Sequence, residues 1–260
     1  MGILDELHSR LVHSPLTRRY QYRALRRLRR LARCPDAYSD LYELAQTTRP
    51  AAILDVGSFV GETIARFLDE LRVPIYGFEP TPASFRKLQE RYADRPLVRV
   101  FDVALCDREG TVDFFSNAGA QTNSLLDNDV GNERSWKEFA EHVGKLTVRA
   151  TTLDAWAAEH LPAGRLIVKA DVQGAEGLLL DGGRKTFAER VIAFYTEVQL
   201  DAMYTGQCGF GELHRRITDE FSFSLRNVYP CMHDGRGRAV QLDALWVNER
   251  LLIPDGEMDA

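Results

Sequence analysis

Apolar positions along the chain alternate between two periods. Ala52, Ile53, Leu54 and Val56 form a short run with the continuity of a strand covered on both faces. Beyond a glycine-bearing turn, Ile64, Phe67, Leu68 and Leu71 recur at the spacing of a helix that packs one face on a sheet. The same alternation continues downstream. VPIYGFEP reads as a second buried strand, followed by a helix opening at Thr81-Pro82 with Phe85, Leu88 and Tyr92 inward. Residues 97–105 read as a third strand and TVDFF as a further alternating one after the turn Asp107-Arg108-Glu109-Gly110. KLTVRATTLDAW predicts a strand and a short helix near Thr152 and Asp154. RLIVKA predicts another strand, then a helix carrying Leu178, Leu179 and Leu180 that stops at Gly182-Gly183, then the buried strand VIAFYTEV. The tail from Phe221 to Arg250 reads as two strands joined by the turn-rich HDGRGR, an antiparallel hairpin at the sheet edge. Strands alternating with helices define an α/β domain with a mostly parallel sheet.

Two stretches fall outside this rhythm. Residues 14–33 predict a helix with Leu16, Tyr20, Ala24, Leu28 and Leu31 on one stripe and arginines around the rest, and a short helix over about Asp40 to Gln46 leads to the first strand. This sets off residues 1–49 as a basic helical extension to a domain over 50–260. Residues 116–145 form a long polar excursion containing the capping box Ser135-Trp136-Lys137-Glu138, which predicts a helix burying Trp136, Phe139 and Val143. Such an excursion inside a compact domain predicts a substrate lid.

Charge separates these parts further. The net charge of −5 conceals nine arginines in residues 1–34 against Asp5 and Glu6, a balance of +7, which leaves −12 for the remainder. An acidic body repels nucleic acid, so any basic contact belongs to the N-terminal helix. The first expectation for that helix is that it packs its leucine stripe on the domain or on a second subunit in a homo-oligomer, and the alternative is attraction to anionic lipid or to an acidic substrate or partner. No apolar run reaches membrane-spanning length and the N-terminus lacks a secretory h-region, so the expected compartment is the cytoplasm. Cys34, Cys106, Cys208 and Cys231 make no C-x-x-C pair, and the six histidines show no ligand spacing, so no metal site is expected.

The chemistry concentrates at the predicted strand ends, where open α/β sheets bind ligands. In the loop Gly57-Ser58-Phe59-Val60-Gly61 the glycines permit a tight turn and a helix N-terminus near a ligand, which suits a nucleoside. The dinucleotide fingerprint G-x-G-x-x-G is absent. Glu79 follows Gly57 by 22 positions, where a carboxylate can accept from both ribose hydroxyls. It also suits the N-terminus of the helix beginning at Thr81-Pro82. Asp102 ends the third strand, Asp171 and Glu176 flank the Gly174 turn, and Glu197 ends the next strand.

DVGSFVGETI, GFEPTPASFRKL, DVALCDREGTVDFF, TTLDAW and KADVQGAEGLLLDG, followed by a strand ending in Glu197, resemble in order and spacing the FkbM family of S-adenosylmethionine-dependent methyltransferases, over roughly residues 50–248. The resemblance implies a class I, Rossmann-like fold with seven strands, mostly parallel, helices on both faces and an antiparallel C-terminal hairpin. It implies S-adenosyl-L-methionine as cofactor and a hydroxyl of a sugar or natural product as methyl acceptor. Matched motif by motif, Asp55, Gly57, Ser58, Gly61 and Thr63 would hold the methionine part. Glu79 with Pro80 would take the ribose, and Asp102, Val103 and Ala104 would border adenine. Asp171 would lie beside the methionine end or the acceptor. This chain departs from the family's K-I-D-V-E-G-x-E at Ala170 and at Gln173, which replaces a glutamate.

Methylation of an alcohol requires alignment with the sulfonium and removal of the hydroxyl proton. Asp171 is the first candidate base, with Glu197, Glu176 and His142 behind it, and an equal reading has Asp171 bind the cofactor's ammonium or order the Gly174 turn. Two other functions fit parts of the pattern. One is an NAD-dependent oxidoreductase, which leaves KADVQGAE unexplained. The other is an inactive methyltransferase-like binding subunit, suggested by Gln173.

Overall fold

The computed structural model describes residues 36–129, 142–230 and 232–252. The arginine-rich helix, the capping box with Trp136 and Phe139, and Cys34 and Cys231 all lie outside the described residues. Helix α1 (Ala37–Thr48) is capped by the Asp36 carboxylate, which accepts from the Ser39 N–H at 3.1 Å. Then follow β1 (Ala52–Val56), α2 (Glu62–Glu70), β2 (Ile75–Phe78), α3 (Pro82–Tyr92) and β3 (Val98–Phe101). After β4 (Ala104–Leu105), β5 (Gly110–Asn117) and β6 (His142–Thr151) come α4 (Leu153–His160), β7 (Leu166–Ala170), α5 (Glu176–Gly182), α6 (Arg184–Glu189) and β8 (Val191–Gln199). The chain closes with α7 (Phe210–Phe221), β9 (Ser224–Val228), β10 (Met232–His233) and β11 (Ala239–Val247).

The main sheet runs β3-β2-β1-β7-β8-β11, with β9 and β10 both paired to β11. β9 pairs with the Ala244–Val247 end of β11 and β10 with the Ala239–Gln241 end, so they fill one edge position in succession. The sheet therefore has seven positions, parallel from β3 to β8 and antiparallel at β11. This is the class I methyltransferase arrangement. The continuous apolar runs in β1 and β7 are buried throughout, as strands covered on both faces must be. Alternate residues separate by face. Leu54 and Val168 join Trp156, Leu179 and Leu213 from α4, α5 and α7, whereas Ile53 and Ile167 join Leu41, Phe67 and Leu88 from α1, α2 and α3.

Three expectations change. The strand expected over 97–105 is two strands, because the chain leaves the main sheet at Asp102-Val103 and β4 pairs with β6 instead. With β5 it forms a second, three-stranded sheet around Ala104, Phe114 and Val148. The final strand does not lie at the edge. Ala244, Leu245, Trp246 and Val247 are fully buried, so β11 is inserted beside β8, and the mostly exposed β9 takes the edge. Val143 is not buried in a helix. It lies on β6, 69% exposed.

Candidate active site

Strand order reverses direction between β1 and β7, the switch point at which open α/β sheets bind ligands. A cavity of about 470 Å³ opens there. The loop after β1 forms one wall, with Gly57, Ser58 and Phe59, and Glu62 and Thr63 of α2 continue it. Gly57, Phe59 and Gly61 all have positive φ, at 79°, 48° and 82°. A Cβ on Gly57 would overlap the Asp171 carbonyl oxygen, and one on Gly61 would strike Tyr92 and Leu88 of α3. The glycines thus admit neighbouring protein: Gly57 lets β7 close on the loop, and Gly61 lets α3 close on α2. Gly61 itself is not on the cavity wall.

Glu79 and Pro80 stand on the wall at the end of β2. Glu79 is 6% exposed, and its two oxygens accept from the Phe59 N–H at 2.9 Å and the Thr81 N–H at 2.8 Å. Burial raises its pKa, and those bonds oppose the rise. The strained Phe59 conformation therefore has a use: it aims an amide at Glu79 and fixes both carboxylate oxygens. Val103, Ala104 and Leu105 add an apolar wall. Asp102 is not on it, and its carboxylate pairs with Arg149 of β6.

Asp55 is not on the cavity wall and has no exposed surface. Lys169 of β7, also buried, places its ammonium 3.3 Å from Asp55 Oδ1 and 3.8 Å from Asp171 Oδ2. Burial pushes the Asp55 carboxyl upward, and the Lys169 charge opposes it. For Lys169 burial would favour the neutral amine, but Asp55 and Asp171 together raise its pKa above the ordinary lysine value. Lys169 is on the cavity wall, and the sequence signalled it only as a lone charge inside an apolar strand.

Asp171 and Glu197 both reach the cavity, and a single side chain joins them. Gln173 Nε2 donates to Asp171 Oδ1 at 2.7 Å and to Glu197 Oε1 at 3.1 Å. Gln199 Nε2 also donates to Glu197 Oε1, at 2.8 Å. Among the described residues nothing bonds to Glu197 Oε2. Burial, then the charges of Asp171 and Asp243, push the Glu197 carboxyl up to about 8. Glu176 is not on the wall. It is 3% exposed, accepts from the Gly174 N–H at 3.4 Å, and burial pushes its pKa up to about 7. His142 opens β6, and its side chain lies outside the described residues.

The far side of the cavity carries side-chain amides. Gln121 and Asn123 come from the excursion after β5, and Gln199 and Gln241 face each other in register on β8 and β11. Met203 and Met232 complete that side. The excursion is tied down over the site: Ser124 Oγ donates to the Gln173 carbonyl at 2.7 Å, and Asp129 N–H to the Met203 carbonyl at 3.0 Å. No group of three or more His, Cys, Asp or Glu among the described residues could hold a metal ion. No helix among them is long and apolar enough to cross a membrane.

A family model described as the methyltransferase FkbM domain matches residues 55–229. The 2-O-methyltransferase NoeI of Sinorhizobium fredii (strain NBRC 101917 / NGR234) is 29% identical over 206 residues, covering 76% of this chain and 80% of its own. Among solved structures, the methyltransferase domain of bacterial CtHen1 is similar with a TM-score of 0.44 at 10% identity, covering 81% of this chain and 96% of its own. Aeropyrum pernix fibrillarin, with natively bound S-adenosyl-L-methionine, is similar with a TM-score of 0.37 at 15% identity, covering 76% of this chain and 66% of its own.

Proposed function

Because the chain belongs to the FkbM methyltransferase family, we propose that it is an S-adenosyl-L-methionine-dependent O-methyltransferase acting on a hydroxyl of a sugar or similar neutral, hydroxyl-rich molecule. The observation that carries this reading is one cavity lined by both Glu79 at the end of β2 and Glu197 at the end of β8. Those strands are three steps apart in the sheet, roughly 14 Å at the usual interstrand spacing. That span accommodates a nucleoside at one end and reacting atoms at the other.

The residues suit the cofactor. Each Glu79 oxygen keeps a lone pair beyond its backbone bond, enough for two ribose hydroxyls. Val103, Ala104 and Leu105 suit the flat adenine ring, and Asp171 suits an ammonium. When bound, S-adenosyl-L-methionine supplies an electrophilic methyl group on a sulfonium. The chain's own part is alignment and proton removal. Glu197 is the better placed base, because Gln173 and Gln199 pin Oε1 while Oε2 is left to accept a hydroxyl proton. Its raised pKa makes it a stronger base than an ordinary carboxylate. Asp171, the first candidate in sequence, is held by Gln173 and faces Lys169, which suits it to the cofactor.

The acceptor follows from the lining. Glu62, Glu79, Asp171 and Glu197 disfavour an anionic acceptor, and Lys169 already faces two carboxylates. Gln121, Asn123, Gln199 and Gln241 offer paired donors and acceptors, the pattern a polyol uses. The relative's name, a 2-O-methyltransferase, supports oxygen as the methylated atom. The acidic body gives no reason for a nucleic-acid partner. The proposed compartment is the cytoplasm, which keeps thiols such as Cys106 and Cys208 reduced. Calorimetric titration tests the cofactor: S-adenosylhomocysteine should bind and NAD should not. Binding of NAD alone would overturn the reading.

A further inference from the structure

Gln173 is held from every side. Its φ of 53° lies in the left-handed region, which disfavours a non-glycine residue. Its carbonyl accepts from Ser124 Oγ at 2.7 Å, so the excursion after β5 clamps the backbone. Its Oε1 faces the Tyr204 hydroxyl at 3.0 Å, whose single proton is shared with the Thr122 carbonyl at 2.9 Å. The amide orientation follows from charge, since two carboxylates require the nitrogen end to face them. The two N–H groups of Nε2 then serve one carboxylate each.

We infer that Gln173 is a positioning residue: its amide bridges Asp171 and Glu197 as a neutral double donor, giving each carboxylate a donor that favours its ionised form and holding Glu197 Oε2 toward the acceptor. This rests on the reading of Glu197 as base. Two carboxylates that share a site ordinarily cannot both ionise, and one retains a proton. A proton or a cation between them would relieve that repulsion, but the first would consume the base. An amide donor relieves it without doing so. The groups facing Glu197 are Asp171 from the end of β7, Glu176 from α5, Asp243 from β11 and Tyr204 from the loop after β8. All three carboxylates raise its proton affinity, and the Gln173 donor lowers it. A glutamate at 173 could supply at most one such proton and would add a further carboxylate.

The test is a carboxyl infrared titration of the cofactor-free full chain, with the Glu197 band assigned by difference against Glu197→Gln. The wild-type band should titrate near 8. Gln173→Leu should move that midpoint upward by about one unit or more, the loss of a hydrogen bond to a charged group. The isosteric Gln173→Glu should move it upward too, which keeps the test open if the leucine variant does not fold. The acidic limb of turnover should shift by the same amount. An unmoved Glu197 midpoint in both folded variants would overturn the inference, whatever their activity. Failure of the wild type to bind S-adenosylhomocysteine would instead overturn the proposed function.

Discussion

The ammonium of Lys169 lies 3.3 Å from Oδ1 of Asp55, a carboxylate with no surface exposed to solvent. Among the described residues no hydrogen bond within normal geometry reaches either Asp55 oxygen, and Lys169 is its electrostatic partner. Lys169→Met should therefore destabilise the fold by about 3–5 kcal/mol, because it strands a buried charge. The double variant Asp55→Asn/Lys169→Met should recover much of that loss. Urea denaturation of the wild type and the two variants measures both quantities.

Gly57→Ala should damage folding before it damages binding. The added Cβ would overlap the Asp171 carbonyl oxygen, at a φ of 79° that alanine resists. The expected loss is about 3 kcal/mol or more, read as a lowered thermal midpoint in the absence of any ligand.

Glu79→Gln should weaken S-adenosylhomocysteine binding about 10- to 100-fold, or about 1.4–3 kcal/mol. The amide keeps one acceptor oxygen, and its NH₂ group opposes one of the two backbone donors at Phe59 and Thr81. Calorimetry on the folded variant gives the ratio directly.

Stability should fall as pH rises through the Glu176 titration. Burial pushes the native carboxyl up to about 7 from the ordinary glutamate value of 4.5, so between these values the folded state binds more protons than the unfolded. The penalty is absent below pH 4.5 and complete above about 7. Glu176→Gln should stabilise the protein by about 1–3 kcal/mol at pH 8 and by little at pH 4, measured as denaturation midpoints across that range.

Much of this was legible from pattern. Runs such as Ala52–Val56 and Leu166–Ala170 are apolar but for Asp55 and Lys169 because they are buried on both faces, so such strand ends also locate Asp55, Glu79, Asp171 and Glu197. What escaped depends on register and pairing. Asp102-Val103 gives no sign that the chain changes sheets there, because β4 is defined by its partner β6. Gln199 and Gln241 are unremarkable polar residues until β11 lies beside β8. Gly57 and Gly61 announced a tight turn, but that they make room for β7 and α3 is a property of the packing. Gln173 was visible as a departure from the family pattern. Its bridge between Asp171 and Glu197 required coordinates.

The account turns on Glu197 accepting a hydroxyl proton in methyl transfer from S-adenosyl-L-methionine. The direct measurement is release of S-adenosylhomocysteine over a panel of neutral glycans, by the wild type and by Glu197→Gln. The wild type should turn over at least one acceptor, and Glu197→Gln should bind the cofactor equally well but react about 10²- to 10⁴-fold more slowly. Turnover by Glu197→Gln at the wild-type rate would contradict the account.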